Sequence, residues 1–198
     1  MPEPADQPAK PLRTWRPMAL WTAGLLLVLG LIWFVAAVVV PVFETRNVVR
    51  RCVASAYRTR GLPIKWDMWQ QPHAAEKQAI DNLGGPQKAV TRLRIFRMAP
   101  DWVTEQGAQP DHFHFSNKEW SVLLLGYCGQ SGTVELIPML QDSREGRRIL
   151  ALVAVYRIGP EAAEAVSAVQ RLLTDDDPWT RDAAAKALKK IRGEEAEK

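Results

Sequence analysis

Residues Val134–Gly159 read VELIPMLQDSREGRRILALVAVYRIG, and Ser167–Arg192 read SAVQRLLTDDDPWTRDAAAKALKKIR. The two runs align without a gap at a spacing of 33 residues. Leu136 falls on Val169, Met139 on Leu172 and Leu140 on Leu173. After the turn, Arg148 falls on Arg181, Ala151 on Ala184, Ala154 on Ala187, Val155 on Leu188 and Ile158 on Ile191. A period of this size predicts a stacked array of helical hairpins. In the second copy Ala184, Ala187, Leu188 and Ile191 follow the i, i+3, i+4, i+7 spacing of one helix face. Asp177 and Pro178 are start signals: the aspartate caps free backbone N–H groups, and proline fits the first helical position, where no N–H is needed. Gly159 and Gly193 mark the ends of the two second helices.

One hairpin cannot bury its apolar face alone, so the array must extend backwards. Leu125-Gly126-Tyr127-Cys128-Gly129 precedes the first copy as Val155–Gly159 precedes the second. Its helix is expected over Lys118–Cys128, with Trp120, Leu124, Leu125 and Cys128 inward. Gln87–Met98 repeats the pattern of Ala162–Leu173, with Ala89, Val90, Leu93 and Phe96 inward. His73–Leu83, ending in Gly84-Gly85-Pro86, reads as the second helix of a still earlier unit.

Leu125–Gly129, the Leu-Leu-x-Asp-x-Asp-Pro-x-x-Arg turn at Leu172–Arg181 and Ala183-Ala184-Ala185-Lys186-Ala187-Leu188-x-x-Ile191 resemble HEAT-like repeats of the phycobilisome-lyase type. The resemblance implies an all-α fold, a short α-solenoid, and a protein-binding scaffold. Two positions depart from the pattern. Thr180 stands where valine is common, and Ser143-Arg144-Glu145-Gly146 lacks the Asp-Pro turn.

The chain has 198 residues, 47% apolar and 24% charged, with a formal net charge of +4. Residues 1–17 hold five prolines and few apolar groups, a composition expected of a disordered tail. Residues 18–40 carry no charge. As a helix they would span roughly 34 Å at ~1.5 Å per residue, enough for a ~30 Å hydrocarbon core. A signal peptide has a shorter apolar core, ~7–15 residues, and a small-residue exit that Pro41-Val42-Phe43-Glu44 does not provide. A single uncleaved transmembrane helix is therefore expected at 18–40. Lys10, Arg13 and Arg16 precede it; Arg46, Arg50, Arg51, Arg58 and Arg60 follow. The larger basic cluster favours a cytoplasmic C-terminal domain by a small margin, against the pull of Arg16 beside the span.

Residues 41–72 read as a juxtamembrane helix and loop. In Glu44–Arg60 the stripe Val48, Val49, Cys52, Val53, Ala56, Tyr57 suits either a first solenoid helix or a basic helix on anionic lipid. The repeat domain is expected over 73–193, broken by an insertion at about 99–116, with 194–198 a charged tail. Loops of that length are often functional.

Chemistry is sparse. His112 and His114, with Asp111 and Asp101, lack the further Cys or His of a four-ligand site. Cys52 and Cys128 have no Cys-x-x-Cys partner. No nucleophile turn or phosphate-cradling glycine loop occurs. No cofactor, metal or enzymatic activity is expected. The absence of clustered aromatics argues against nucleic acid. Comparison of the aligned second helices sets Val153, Tyr156 and Arg157 against Lys186, Lys189 and Lys190. The lysines suit a solvent-facing end of the array. Tyr156, Arg157, His112 and His114 become the candidate partner contacts, and Asp177, Pro178, Arg181 and Arg148 the structural turn residues. The expected function is a membrane-anchored scaffold for a protein partner. The alternatives are a lyase-like enzyme on the same repeats and a basic membrane-surface module.

Overall fold

The computed structural model describes residues 15–60, 74–105 and 116–194. Residues 61–73, 106–115, 195–198 and most of the expected tail at 1–17 lie outside the described residues, and so do His112 and His114. The chain divides into two compact units, 1–39 and 40–198.

The first unit holds α1 (Trp15–Phe34) and a π-helical turn, Val35–Val39. The helix starts at Trp15, earlier than the composition boundary at Met18. Leu25, Leu27, Leu29, Leu31 and Trp33 are all exposed, so no single stripe is buried. A helix apolar on every side needs either a protein interior or a bilayer. By length and composition the N-terminal helical segment can cross a membrane.

The second unit is all-helical among its described residues: α2 (Val40–Arg60), α3 (Ala74–Asn82), α4 (Pro86–Met98), α5 (Asp101–Thr104), α6 (Asn117–Leu125), α7 (Gly129–Leu136), α8 (Glu145–Ile158), α9 (Val166–Arg171) and α10 (Pro178–Ile191). Turns of 3-10 helix extend α7 (Ile137–Gln141) and flank α9 (Gly159–Ala165, Leu172–Thr174). Packing sorts these into two layers. In one, α2 lies against α4, α4 against α7, and α7 against Gly159–Ala165. In the other, α3 lies against α6, α6 against α8, and α8 against α10. The result is four hairpins side by side: α2/α3, α4/α6, α7/α8 and α9/α10. The helix expected at Glu44–Arg60 therefore forms the first layer of the stack, with Val49 and Cys52 buried.

The repeat spacing reads directly onto burial. Leu136 and Val169, Ala151 and Ala184, and Ala154 and Ala187 are fully buried pairs. Leu140 and Leu173 break the match, at 1% and 37% exposed. Leu140 is covered by the next hairpin, whereas no described hairpin follows Leu173.

The helix boundaries have local causes. Asp177 accepts from the Thr180 amide at 2.5 Å and from the Thr180 hydroxyl at 2.7 Å, and Pro178 opens α10. Thr180 is fully buried, so this second bond satisfies its hydroxyl. Gly159 ends α8 with φ 67°, a left-handed conformation that suits glycine. Asp177→Ala is expected to lower Tm by about 4–8 °C in a thermal melt, roughly 2 kcal/mol, because the cap and the buried threonine lose a partner together.

The insertion is closed at its base. The Asn117 side-chain amide donates to the Thr104 carbonyl at 2.7 Å, and the Asn117 backbone N–H donates to Glu105 Oε2 at 2.8 Å. Ser116 and Glu119 form a reciprocal capping box that starts α6, with bonds of 3.2 and 2.7 Å. The described part of the expected insertion thus contributes the short α5 and a helix cap.

Candidate functional site

Charged side chains join each hairpin to the next. Arg92 on α4 bonds Glu44 on α2 at 3.2 Å. Arg94 and Arg97 on α4 both bond Glu135 on α7, the latter at 2.9 Å. Arg148 on α8 bonds Asp175, in the turn before α10, at 2.9 Å. Arg92, Arg94 and Arg97, which lie off the apolar face of Gln87–Met98, are thus engaged within the stack.

Arg148 and Arg181 have the same local geometry. Arg148 Nη1 donates to the carbonyls of Asp142 and Ser143, both at 3.1 Å. Arg181 Nη1 donates to the carbonyls of Asp175 and Asp176, at 2.6 and 2.9 Å. Each arginine closes its own turn, and Arg148 also reaches the following one. Asp142 and Asp175 are equivalent as well. Asp142 Oδ1 accepts from the Arg144 N–H at 2.9 Å, and Asp175 Oδ1 from the Asp177 N–H at 3.0 Å. The middle turn lacks Asp-Pro but keeps this aspartate, a signal the 33-residue alignment contains.

The Arg144 side chain beside Asp142 holds its carboxyl down at about 2, helped by the Arg144 N–H and by Arg147, and opposed by partial desolvation. The ordinary carboxyl value is 3.8. A folded-state value below the unfolded one stabilises the fold above the unfolded value. That contribution is fully present above about pH 4 and is lost as pH falls through about 2. In melts across this range, Asp142→Asn is expected to flatten part of the acid decline.

The candidate contact residues divide. Tyr156 is half-buried, with Lys190 Nζ of the next hairpin 5.7 Å from its ring centroid. The side chain of Arg157 is only 2% exposed, which corrects its placement on an open face. Its Nη2 bonds Glu76 Oε1 at 3.3 Å, its Nη1 donates to the Leu123 carbonyl at 3.3 Å, and its guanidinium lies 5.3 Å from the centroid of the Tyr127 ring. The Tyr127 hydroxyl donates to Glu76 Oε2. Glu76, fully buried, sits on α3, 81 positions before Arg157. This assembly fastens the first three hairpins together.

Both cysteines are buried, and neither forms a disulfide. Burial pushes the Cys128 thiol up to about 12, against a small opposing pull from Arg97. It behaves as a small apolar side chain. No group of three potential metal ligands occurs among the described residues.

One open feature lies at the turn edge of the last two hairpins. A groove of about 370 Å³ is lined by Leu140, Asp142, Arg148, Arg171, Asp175 and Asp176, among others. Leu173 and Trp179, next to these turns in the chain, are exposed, Trp179 at 70%. Sequence reasoning missed this edge because Trp179 aligns with Gly146 and shares no pattern with it.

Residues 124–197 match the family model of HEAT repeats. The match covers the third and fourth hairpins and the end of α6, well under half of the chain. No curated protein and no solved structure matches. The HEAT-like part is the part with the 33-residue spacing, and its Arg148 and Arg181 turns give that spacing a physical cause. HEAT repeats generally serve as scaffolds for protein interaction.

Proposed function

We propose that the chain is a membrane-anchored HEAT-like scaffold that holds a partner protein at the bilayer surface. The observation that carries this reading is the turn edge of the last two hairpins. There an exposed leucine and tryptophan stand, in the chain, next to Leu172 and close to Asp176, which line a groove whose walls hold both arginines and aspartates. Aromatic and arginine anchors beside a mixed-charge rim are the usual composition of a protein-binding patch. Arg171, Asp176, Leu173 and Trp179 are the proposed contacts, with Tyr156 at the neighbouring helix. The apolar segment at 18–40 would confine this edge to the membrane and raise its effective concentration near membrane partners.

The test is crosslinking of the full chain in its native membranes, followed by affinity capture and mass spectrometry. Wild type is expected to capture one specific protein, and the Trp179→Ala, Arg171→Glu double variant to lose it. Equal capture by both, or none by either, overturns the proposed edge.

A further inference from the structure

A second cleft, of about 100 Å³, lies between the second and third hairpins. Its walls are Arg97 from α4, Lys118, Glu119 and Val122 from α6, Met139 from Ile137–Gln141, and Arg147 from α8. Three cations from three helices thus converge on one small space that also contains one carboxylate.

We propose that this cleft binds a single phosphoryl group, held by Arg97, Lys118 and Arg147.

Donor capacity supports this. Arg97 Nη2 bonds Glu135, but its Nη1 is buried without a hydrogen-bond partner among the described residues. A buried guanidinium N–H left unmade is costly, so a native fold supplies an acceptor. Burial pulls the Arg97 guanidinium below its ordinary value, ahead of the opposing attraction of Glu135. A bound anion would reverse that. Lys118 Nζ donates to Asp101 at 2.6 Å, and an ammonium has three donors. Arg147 Nη1 bonds Asp142 at 3.3 Å, and a guanidinium has five. Each cation therefore has a structural carboxylate and spare N–H groups. Glu119 is occupied at one oxygen by the Ser116 N–H, which limits its repulsion of an incoming anion.

Size and shape narrow the ligand. The cleft holds about three waters' worth of volume at ~30 Å³ each, far below the ~300 Å³ of a site for a whole small molecule. One tetrahedral group fits. Donors arriving from three helices match its three outer oxygens better than the two oxygens of a planar carboxylate.

The phosphoryl group has two sources: free phosphate and a phospholipid headgroup. An exposed tryptophan on α5 favours the headgroup. Lys118 holds α5 at Asp101, and Arg46 Nη1 holds it at the Val103 carbonyl, at 3.3 Å. Trp102, between these two anchor points, is 72% exposed, as a tryptophan at a membrane interface would be.

The test uses the full chain in detergent micelles and in vesicles. Melts in inorganic phosphate, acetate and chloride at equal ionic strength read the free anion. Reconstitution into phosphatidylcholine vesicles with and without phosphatidic acid reads the headgroup. A saturable rise in Tm with inorganic phosphate, or with phosphatidic acid alone, supports the site and assigns its source. The variant is Arg147→Gln, at a side chain 35% exposed and so tolerant of change. It should weaken the response about tenfold, the loss of one charge-assisted bond. Lys118→Met should do the same if Arg147→Gln proves unstable. An acetate response equal to that of phosphate overturns the proposal, as does a response the variants leave unchanged, or no response in either medium. A chain that washes off membranes yet binds inorganic phosphate would sink the anchor and leave the site standing.

Discussion

Arg157→Met is expected to destabilise the protein by about 3–5 kcal/mol, the usual cost of removing one partner of a buried ion pair. For a chain of this length that is roughly 6–20 °C in Tm. Glu76 has no water to turn to, since its side chain is fully buried. The Tyr127 hydroxyl that donates to Glu76 is neutral and cannot replace a cation. The companion variant Glu76→Gln, Arg157→Met removes both charges. It should recover most of the loss, because desolvating the pair is itself expensive. Urea unfolding of the full chain in detergent, run as a double-mutant cycle, measures the coupling. A loss under about 1 kcal/mol for Arg157→Met, within the range of exposed ion pairs, would show that the contact is not a fastening.

Gly132→Ala is expected to cost about 3 kcal/mol or more, at the upper end of overpacking effects. Gly132 is buried on α7, where the chain turns back against α6. A Cβ there would lie under 3.0 Å from the Leu125 carbonyl oxygen, and near Cys128 Cβ. The obstacle is backbone, so rotamer changes cannot relieve it. Tm should fall by roughly 6–12 °C. Gly146→Ala is the control. It sits exposed in the first turn of α8 with nothing within 4 Å of its added Cβ. There alanine should stabilise, by up to ~1 kcal/mol, through helix propensity alone. If both substitutions act alike, the close approach of α7 to α6 is not what fixes glycine at 132.

How far these features were legible depends on the range of their causes. The third and fourth hairpins are written locally. Alanines at the period of a helix, an Asp-Pro start and closing glycines each act within a few residues. Ser116 and Glu119 carry a local signal too, although they stand at the edge of an irregular stretch that hides them. Arg157 was misread because its burial has a distant cause. Alignment with Lys190 suggests an outward face, but the fourth hairpin leaves that position half-exposed while in the third the side chain is covered by Glu76 and Tyr127. Asp142 is hard to read from the sequence because the missing proline masks the aspartate that recurs at position 175. The cleft between α4, α6 and α8 joins positions 97, 118 and 147, which no periodicity relates.

The Glu76–Tyr127–Arg157 assembly stops at α8, and this has a mechanical consequence. Nearest-neighbour stacks peel one layer at a time. Here three hairpins share a clasp, while the fourth is held by its own interface and by Arg148. Under tension applied at the far end, α9 and α10 should detach first as a short step. The remaining three hairpins should then yield together at a higher force. The stack would give way like a hinged leaf on a solid block, not as an evenly extending spring.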